Sequence, residues 1–161
     1  MYSLLKNKFK STGNERGTPQ EFFERLDNEF YFTLDPCANE DNHKCEKFFT
    51  EEMNGLEQEW SNDIVWVNPP FGGDLRLWVI KCYDEAQKGT TVVALIPVRS
   101  NTNWWHDYCM KAYEVRLIKG RMKFIDPEGV PYKHGLPFPL ALVIFKQGDY
   151  NAKFTSYDSC V

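Results

Sequence analysis

The sequence has no excess of positive charge, no long apolar run and no repeat, and each absence narrows the possible functions. The formal net charge is −4, so no overall basic field attracts the chain to nucleic acid, and any such binding has to come from a local patch. No apolar stretch approaches the length of a membrane span, and no signal-peptide pattern stands at the N-terminus. The sequence therefore predicts a soluble protein of the cytoplasm.

Cysteine is present but not in the arrangement of a disulfide framework or a zinc site. The five cysteines are an odd number and include no Cys-x-x-Cys pair, which favours reduced thiols. Cys37, His43 and Cys45 lie close together in the sequence, but a fourth ligand is not evident. We therefore expect no bound metal.

Apolar segments alternate with helical patterns through the middle of the chain. Residues 64–67 and 92–96 are continuous apolar runs, as expected of strands buried on both faces. Helices are predicted over 74–87 and 102–112, and further strands over 115–118 and 140–145, with residues 122–125 continuing or following the strand over 115–118. This order predicts a single α/β domain with a mostly parallel twisted sheet and an antiparallel C-terminal strand.

The ends of the chain have a different character. Residues 1–17 are polar and basic, and we interpret them as a mobile arm that could contact DNA through its lysines and Arg16. Thr18-Pro19 is typical of a helix start, with threonine as the N-cap. The predicted domain covers residues 18–148, and 149–161 is predicted to be a loose tail.

Asn68-Pro69-Pro70-Phe71 follows the first long apolar strand. A planar amide offers an acceptor and two donors, the prolines leave carbonyl groups without backbone donors, and an aromatic ring can stack on a flat ligand. These groups suit a planar heterocycle with an exocyclic amino group. A strand stop followed by a turn explains the same residues equally well.

The Asn-Pro-Pro-Phe string after an apolar strand resembles the motif of S-adenosylmethionine-dependent amino methyltransferases. The fuller pattern resembles the phage and prophage DNA N-6-adenine methyltransferases. The matching pieces, in the family's order over about residues 18–146, are Thr18-Pro19, Leu34 to Ala38, Gly55-Leu56 with Trp60, Trp66 to Phe71, Pro97 with Trp104-Trp105, and Gly120 to Phe124.

The resemblance implies a Rossmann-like methyltransferase fold and methyl transfer to the N-6 amino group of adenine in DNA. The side chain of Asn68 and the carbonyl of Pro69 would hold the amino group, and Phe71 would stack on a base taken out of the duplex. Asn68, Pro69, Pro70 and Phe71 are thus the implied catalytic motif. The implied cofactor-binding residues are Thr18, Pro19, Asp35, Pro36, Cys37, Ala38, Glu51 and Glu52.

The cofactor half departs from the broader methyltransferase pattern. No Gly-x-Gly follows Asp35, and Asp35 and Asn68 are too close in sequence for two full strand–helix units between them. We therefore expect an abbreviated cofactor half. Asp35 could instead cap the next turn, and Glu51 and Glu52 could be charges at a solvated helix start.

A basic run over residues 111–123 offers a local route to DNA. A solvated charged face is the usual meaning of such a run, and at least one of Trp104 and Trp105 is expected in the core. The predicted DNA-binding residues are Arg99, Trp104, Lys119, Arg121, Lys123 and Lys133.

Two other functions remain open from the sequence. One is a methyltransferase for a glutamine side chain or an RNA base, which shares the amide-and-proline motif. The other is a nucleic-acid-binding relative that keeps the cleft without the chemistry. The recognition sequence and the oligomeric state are not predicted.

Overall fold

The computed structural model describes residues 16–160, which form one seven-stranded sheet with helices on both faces. The strands are β1 (Leu34–Asp35), β2 (Lys47–Phe48), β3 (Ile64–Val67), β4 (Thr91–Pro97), β5 (Glu114–Lys119), β6 (Leu140–Phe145) and β7 (Lys153–Asp158). The helices are α1 (Gln20–Phe30), α2 (Leu75–Gln87) and α3 (Asn103–Asp107), with 3₁₀ turns at Gly55–Glu57 and Cys109–Lys111. Residues 1–15, which hold most of the predicted N-terminal arm, lie outside the described part.

The sheet order is β2-β1-β3-β4-β6-β5-β7. Strands β1 to β4 pair in parallel, β6 runs antiparallel to both β4 and β5, and β7 pairs in parallel with β5. The predicted α/β fold, mostly parallel with an antiparallel strand, is confirmed. The antiparallel strand is β6, and it lies inside the sheet rather than at its end.

Alternate residues of the central strands feed two separate cores. Val65 and Val67 of β3 face α2 and α3, whereas Trp66 between them faces α1. This division follows from the two-residue period of a strand, which sends successive side chains to opposite faces. Because both faces are covered, β3 and β4 are apolar almost throughout.

Helix α1 begins one residue later than the sequence predicts. Pro19 occupies the N-cap, and Thr18 caps no helix amide with its side chain. The helix ends at Phe30, and Tyr31 at its C-cap adopts a left-handed conformation with φ of 58°. Arg25 in the middle of α1 donates to the backbone oxygen of Asp158, 133 residues away, at 2.6 Å.

Three predictions about the C-terminal half are wrong. Residues 149–161 are not a loose tail throughout, since β7 occupies Lys153–Asp158. The predicted helix over 102–112 breaks at Tyr108 into α3 and a 3₁₀ turn. Residues 122–125 do not continue a strand, because Ile125 makes only isolated bridges, to Gly17 and Pro131.

The predicted abbreviation between β1 and β3 is confirmed. Residues 36–63, all of them described, contain β2 and one 3₁₀ turn but no α-helix. A buried ion pair fastens this segment to α2: Lys81 Nζ lies 2.5 Å from Glu85 and 2.7 Å from the Gln58 oxygen. Glu85 also accepts from the Trp60 amide at 3.2 Å.

Candidate active site

The carboxyl ends of three neighbouring parallel strands bring the site residues to one edge of the sheet. Asp35 ends β1, Asn68 follows β3, and Pro97 ends β4. Ligands of open α/β sheets bind beyond this edge. The structure thus places the predicted cofactor loop and the Asn-Pro-Pro-Phe motif side by side.

The side-chain amide of Asn68 is held by the segment that precedes α1. Its Nδ2 donates to the backbone oxygen of Arg16 at 2.8 Å and to Thr18 Oγ1 at 3.1 Å. Among residues 16–160, no group donates a hydrogen bond to the Asn68 oxygen Oδ1. The side chain is half-buried, so this oxygen is available to a ligand.

Phe71 lies in an aromatic cluster on the α1 side of the sheet. Its ring meets Phe124 and Phe138 edge to face, with centroids 6.1 and 6.3 Å away. The guanidinium of Arg16 lies over the ring, 5.6 Å from its centroid. The ring itself is half-buried, in a position to border a cleft.

A cavity of about 330 Å³ adjoins this cluster through Phe124 and Arg16, which is at the lower end of the size of ligand pockets. It is lined by Arg16, Met122, Phe124, Tyr132, Lys133, His134 and Leu136. A largely apolar lining that includes basic residues suits a flat heterocycle attached to a phosphate backbone. Residues 120–124 belong to the family pattern, but no pocket was predicted there; the aromatic residues at 124, 132 and 138 are the signal in the sequence that could have located it.

The carboxylate of Asp35 is turned toward its own loop. It is buried and accepts from the Lys44 amide at 3.0 Å and from the Cys37 amide at 3.4 Å. Burial raises the pKa of Asp35 to about 6, although both hydrogen bonds and the Lys44 charge oppose the shift. Asp35 therefore shapes the loop over 36–44, which is the capping role that the sequence left open.

The two loops after β1 and β2 are packed tightly together. A side chain at Gly55 would place its Cβ 2.0 Å from the backbone oxygen of Pro36, so only glycine fits there. The backbone amide of Phe49 donates to the backbone oxygen of Asp35 at 3.0 Å, and the backbone amide of Ala38 donates to the backbone oxygen of Phe49 at 3.1 Å.

These loops offer the groups that S-adenosylmethionine requires. Glu51 and Glu52 form an exposed turn just beyond β2, where carboxylates can accept from ribose hydroxyls. Phe49 is half-buried beside them and supplies apolar surface. A second cleft of about 210 Å³, with Gln20, Asn39 and Lys44 among its lining, adds polar groups near the Asp35 loop. The residues present therefore fit the cofactor.

The predicted basic residues divide into two groups. Lys119, Arg121 and Lys123 are exposed on the segment that leaves β5, and Gly135 packs against Arg121, which joins this segment to the loop that carries Lys133. Arg99 lies over Phe138, 5.0 Å from its centroid, beside the aromatic cluster.

Arg116 and Trp104 lie elsewhere. Arg116, which the sequence analysis counted in the basic run, is bound to Glu29 at 2.6 Å and to Glu114 at 3.0 Å and is mostly buried. It is therefore not available to phosphate. Trp104 is half-buried on α3, packs edge to face on Trp105 and contacts the core on the α2 side. Its DNA contact stays a prediction.

Within residues 16–160, no group of histidine, cysteine and acidic side chains is arranged to hold a metal ion. His43 stacks on Phe48 and contacts the Cys45 oxygen through Nδ1 at 2.7 Å.

Among residues 16–160, no helix has the length and apolar character needed to cross a membrane.

A sequence profile of the DNA N-6-adenine-methyltransferase (Dam) family matches residues 6–159. The chain belongs to this family. The family match confirms the resemblance identified from the sequence, and Dam methyltransferases use S-adenosylmethionine. The DNA N-6-adenine-methyltransferase of Escherichia phage T1 is 31% identical over 104 residues. That match covers 63% of this chain and 43% of the phage protein, so the chain spans less than half of the relative's length.

Proposed function

We propose that this protein transfers a methyl group from S-adenosylmethionine to the N-6 amino group of adenine in DNA. The observation that carries the proposal is the position of the family motif: Asn68 follows β3 at the carboxyl edge of the sheet, and Phe71 packs on Phe124, which lines a largely apolar cavity. The membership of the family and the phage relative support the same reaction.

The motif residues would hold the target base. The Asn68 oxygen and the Pro69 carbonyl would accept the two hydrogens of the amino group, and Phe71 would stack on the purine ring. Pro70 would fix the backbone between them. The base has to leave the duplex, since its amino group is paired there. Fixing the amino group and excluding water are then the main tasks of these side chains.

The cofactor would lie between the segment 18–19 and the loops after β1 and β2. When bound, S-adenosylmethionine supplies an activated methyl group. Pro36, Cys37 and Ala38 would contact it, and Glu51 or Glu52 would accept from the ribose. Asp35 would contribute through the loop that it holds, because its carboxylate is already bound to Cys37 and Lys44.

The exposed cations would contact the DNA backbone around the cavity. Arg99, Lys119, Arg121, Lys123 and Lys133 are the proposed contacts, with Trp104 at the edge. Because the proposed substrate is DNA, we place the protein in the cytoplasm, that of the host if a phage encodes it.

The test is methyl transfer from labelled S-adenosylmethionine to three substrates: DNA that contains adenine, RNA of the same sequence, and protein. We expect label in N-6-methyladenine of the DNA alone. Label in RNA or in a glutamine side chain would favour the related methyltransferases, and binding without transfer would favour a non-catalytic relative.

The matched variant is Asn68→Ala. It should abolish transfer and leave the affinity for S-adenosylmethionine within about twofold, because the side chain holds the base. A joint loss of transfer, cofactor affinity and thermal stability would show that Asn68 ends a strand and does no more.

A further inference from the structure

The hydrogen bonds of Asn68 define which way its amide points. A carboxamide has two N–H donors and one oxygen acceptor. Both donors are engaged, one by the Arg16 oxygen at 2.8 Å and the other by Thr18 Oγ1 at 3.1 Å. The oxygen is therefore the group left over for the ligand.

A flipped amide would be unfavourable in this position. The Asn68 oxygen would then face the Arg16 carbonyl oxygen, and two acceptors cannot bond to each other. The Thr18 hydroxyl could donate to a flipped oxygen, so it does not choose the orientation alone. The carbonyl selects the orientation, and the hydroxyl satisfies the second N–H.

The segment that supplies these acceptors is itself fixed. Gly17 and Ile125 exchange two backbone hydrogen bonds of 2.9 Å. Thr18 is 1% exposed, and among residues 16–160 its hydroxyl accepts from Asn68 and from no helix amide. A buried hydroxyl with this one described partner indicates a specific task.

We propose that Thr18 is a positioning residue for the reaction: with the Arg16 carbonyl, it takes both amide hydrogens of Asn68 and so presents Oδ1 to the amino group of the target base. This inference rests on the proposed function, since it assumes that Asn68 holds that group. It gives Thr18 a task on the base side of the site, in addition to the cofactor contact that the family resemblance implies.

The first test compares Thr18→Val, which keeps the shape and removes the hydroxyl, with Thr18→Ser, which keeps the hydroxyl. In single-turnover assays we expect Thr18→Val to lower the methyl-transfer rate about tenfold, the effect of losing one hydrogen bond. Thr18→Ser should stay within about twofold of the wild type. The assays are run at saturating S-adenosylmethionine, so that a change in the cofactor contact of Thr18 does not enter the measured rate, and calorimetry measures that contact separately.

A second readout does not depend on activity. In the free protein labelled with ¹⁵N-asparagine, the side-chain NH₂ signals of Asn68 can be assigned by their loss in Asn68→Ala. Thr18→Val should shift these signals toward those of a less hydrogen-bonded amide, and Thr18→Ser should not.

Gly17→Ala tests the position of the segment that carries both acceptors without changing the Thr18 side chain. The new Cβ would lie 2.6 Å from Ile125 Cγ1, so the segment has to move. We expect a loss of rate that the second change Ile125→Ala largely restores, because it removes the obstructing atoms.

A wild-type rate in Thr18→Val, a loss confined to cofactor affinity, or unshifted Asn68 signals would each overturn the positioning role. The outcome is separable from the proposed function. Full activity of Asn68→Ala would refute the assignment of the base site, whereas an inactive Asn68→Ala with a normal Thr18→Val would refute the positioning role alone.

Discussion

The guanidinium of Arg16 lies over the ring of Phe71, 5.6 Å from its centroid. The proposed function assigns this ring to the target base, which would displace the guanidinium by stacking on the same face. A displaced guanidinium would lie beside the cavity that Arg16 lines, with its charge free for a phosphate group.

Arg16→Ala should therefore weaken DNA binding and lower the salt slope of log K by about 1, because one phosphate contact is lost. Arg16→Lys keeps the charge and should keep the slope. Fluorescence anisotropy of a labelled duplex at several salt concentrations measures both quantities. An unchanged slope in Arg16→Ala would mean that the guanidinium stays on the ring in the complex.

Replacement of Phe71 tests stacking directly. Phe71→Leu keeps an apolar side chain but loses the flat surface, and a base–aromatic stack is worth about 1–3 kcal/mol. We expect kcat/KM for DNA to fall about tenfold or more, whereas Phe71→Tyr should remain close to the wild type. Equal activity in the leucine and tyrosine variants would show that the ring serves only to fill the cluster with Phe124 and Phe138.

Arg121 and Arg116 form a matched pair for the basic run, since one is exposed and the other is bound to Glu29 and Glu114. Arg121→Gln should reduce the DNA affinity and lower the salt slope by about 1. Arg116→Gln should leave the slope unchanged and reduce the free energy of unfolding by about 2 kcal/mol, because two partners lose a charged hydrogen bond. Urea titration measures the second effect. A lower salt slope in Arg116→Gln and an unchanged slope in Arg121→Gln would show that Arg116, and not Arg121, contacts the phosphate.

The raised pKa of Asp35 predicts a dependence of stability on pH. Because burial raises the pKa from 3.8 to about 6, the folded state keeps the proton to higher pH than the unfolded state. Stability therefore falls as the pH rises from about 4 to about 6 and levels off above, with a total change of at most about 3 kcal/mol.

The variant Asp35→Asn isolates this effect because it cannot titrate. Urea titrations at pH 4 to 7 give the free energy of unfolding of both proteins. Between about pH 4 and pH 6, this free energy should fall in the wild type relative to the variant. A difference that does not vary with pH would show that the folded carboxyl ionises at its ordinary pKa.

The sequence was most informative where burial dictates the residue types. The strands predicted over 64–67 and 140–145 coincide with β3 and β6, because a strand covered on both faces is apolar without interruption. The loss of a helix between β1 and β3 was predicted from the short interval to Asn68. The Asn-Pro-Pro-Phe motif was expected at the carboxyl edge of the sheet because it directly follows the apolar run over 64–67, and it does follow β3 there.

The features that the sequence did not predict, strand β7 and the bond from Asn68 to Thr18, depend on contacts between residues far apart in the chain. Strand β7 lies at the edge of the sheet and alternates between exposed and half-exposed residues, so its pattern lacks an apolar run, although Phe154 and Tyr157 favour a strand. The bond from Asn68 to Thr18 spans 50 positions. Thr18-Pro19 is a good helix start by its local pattern, and nothing nearby indicates that the hydroxyl serves another residue.

The hydrogen bond from Arg25 to the Asp158 backbone oxygen joins the start of the domain to its last strand. Helix α1 leads directly from Thr18, yet part of its docking surface, including Tyr157 beneath the Arg25 guanidinium, belongs to β7. The docking of α1 is therefore complete only when residues more than a hundred positions later in the chain are in place. A chain that lacks β7 would therefore be missing the Asp158 oxygen and the Tyr157 ring that hold Arg25, and with them part of the support for the segment before α1.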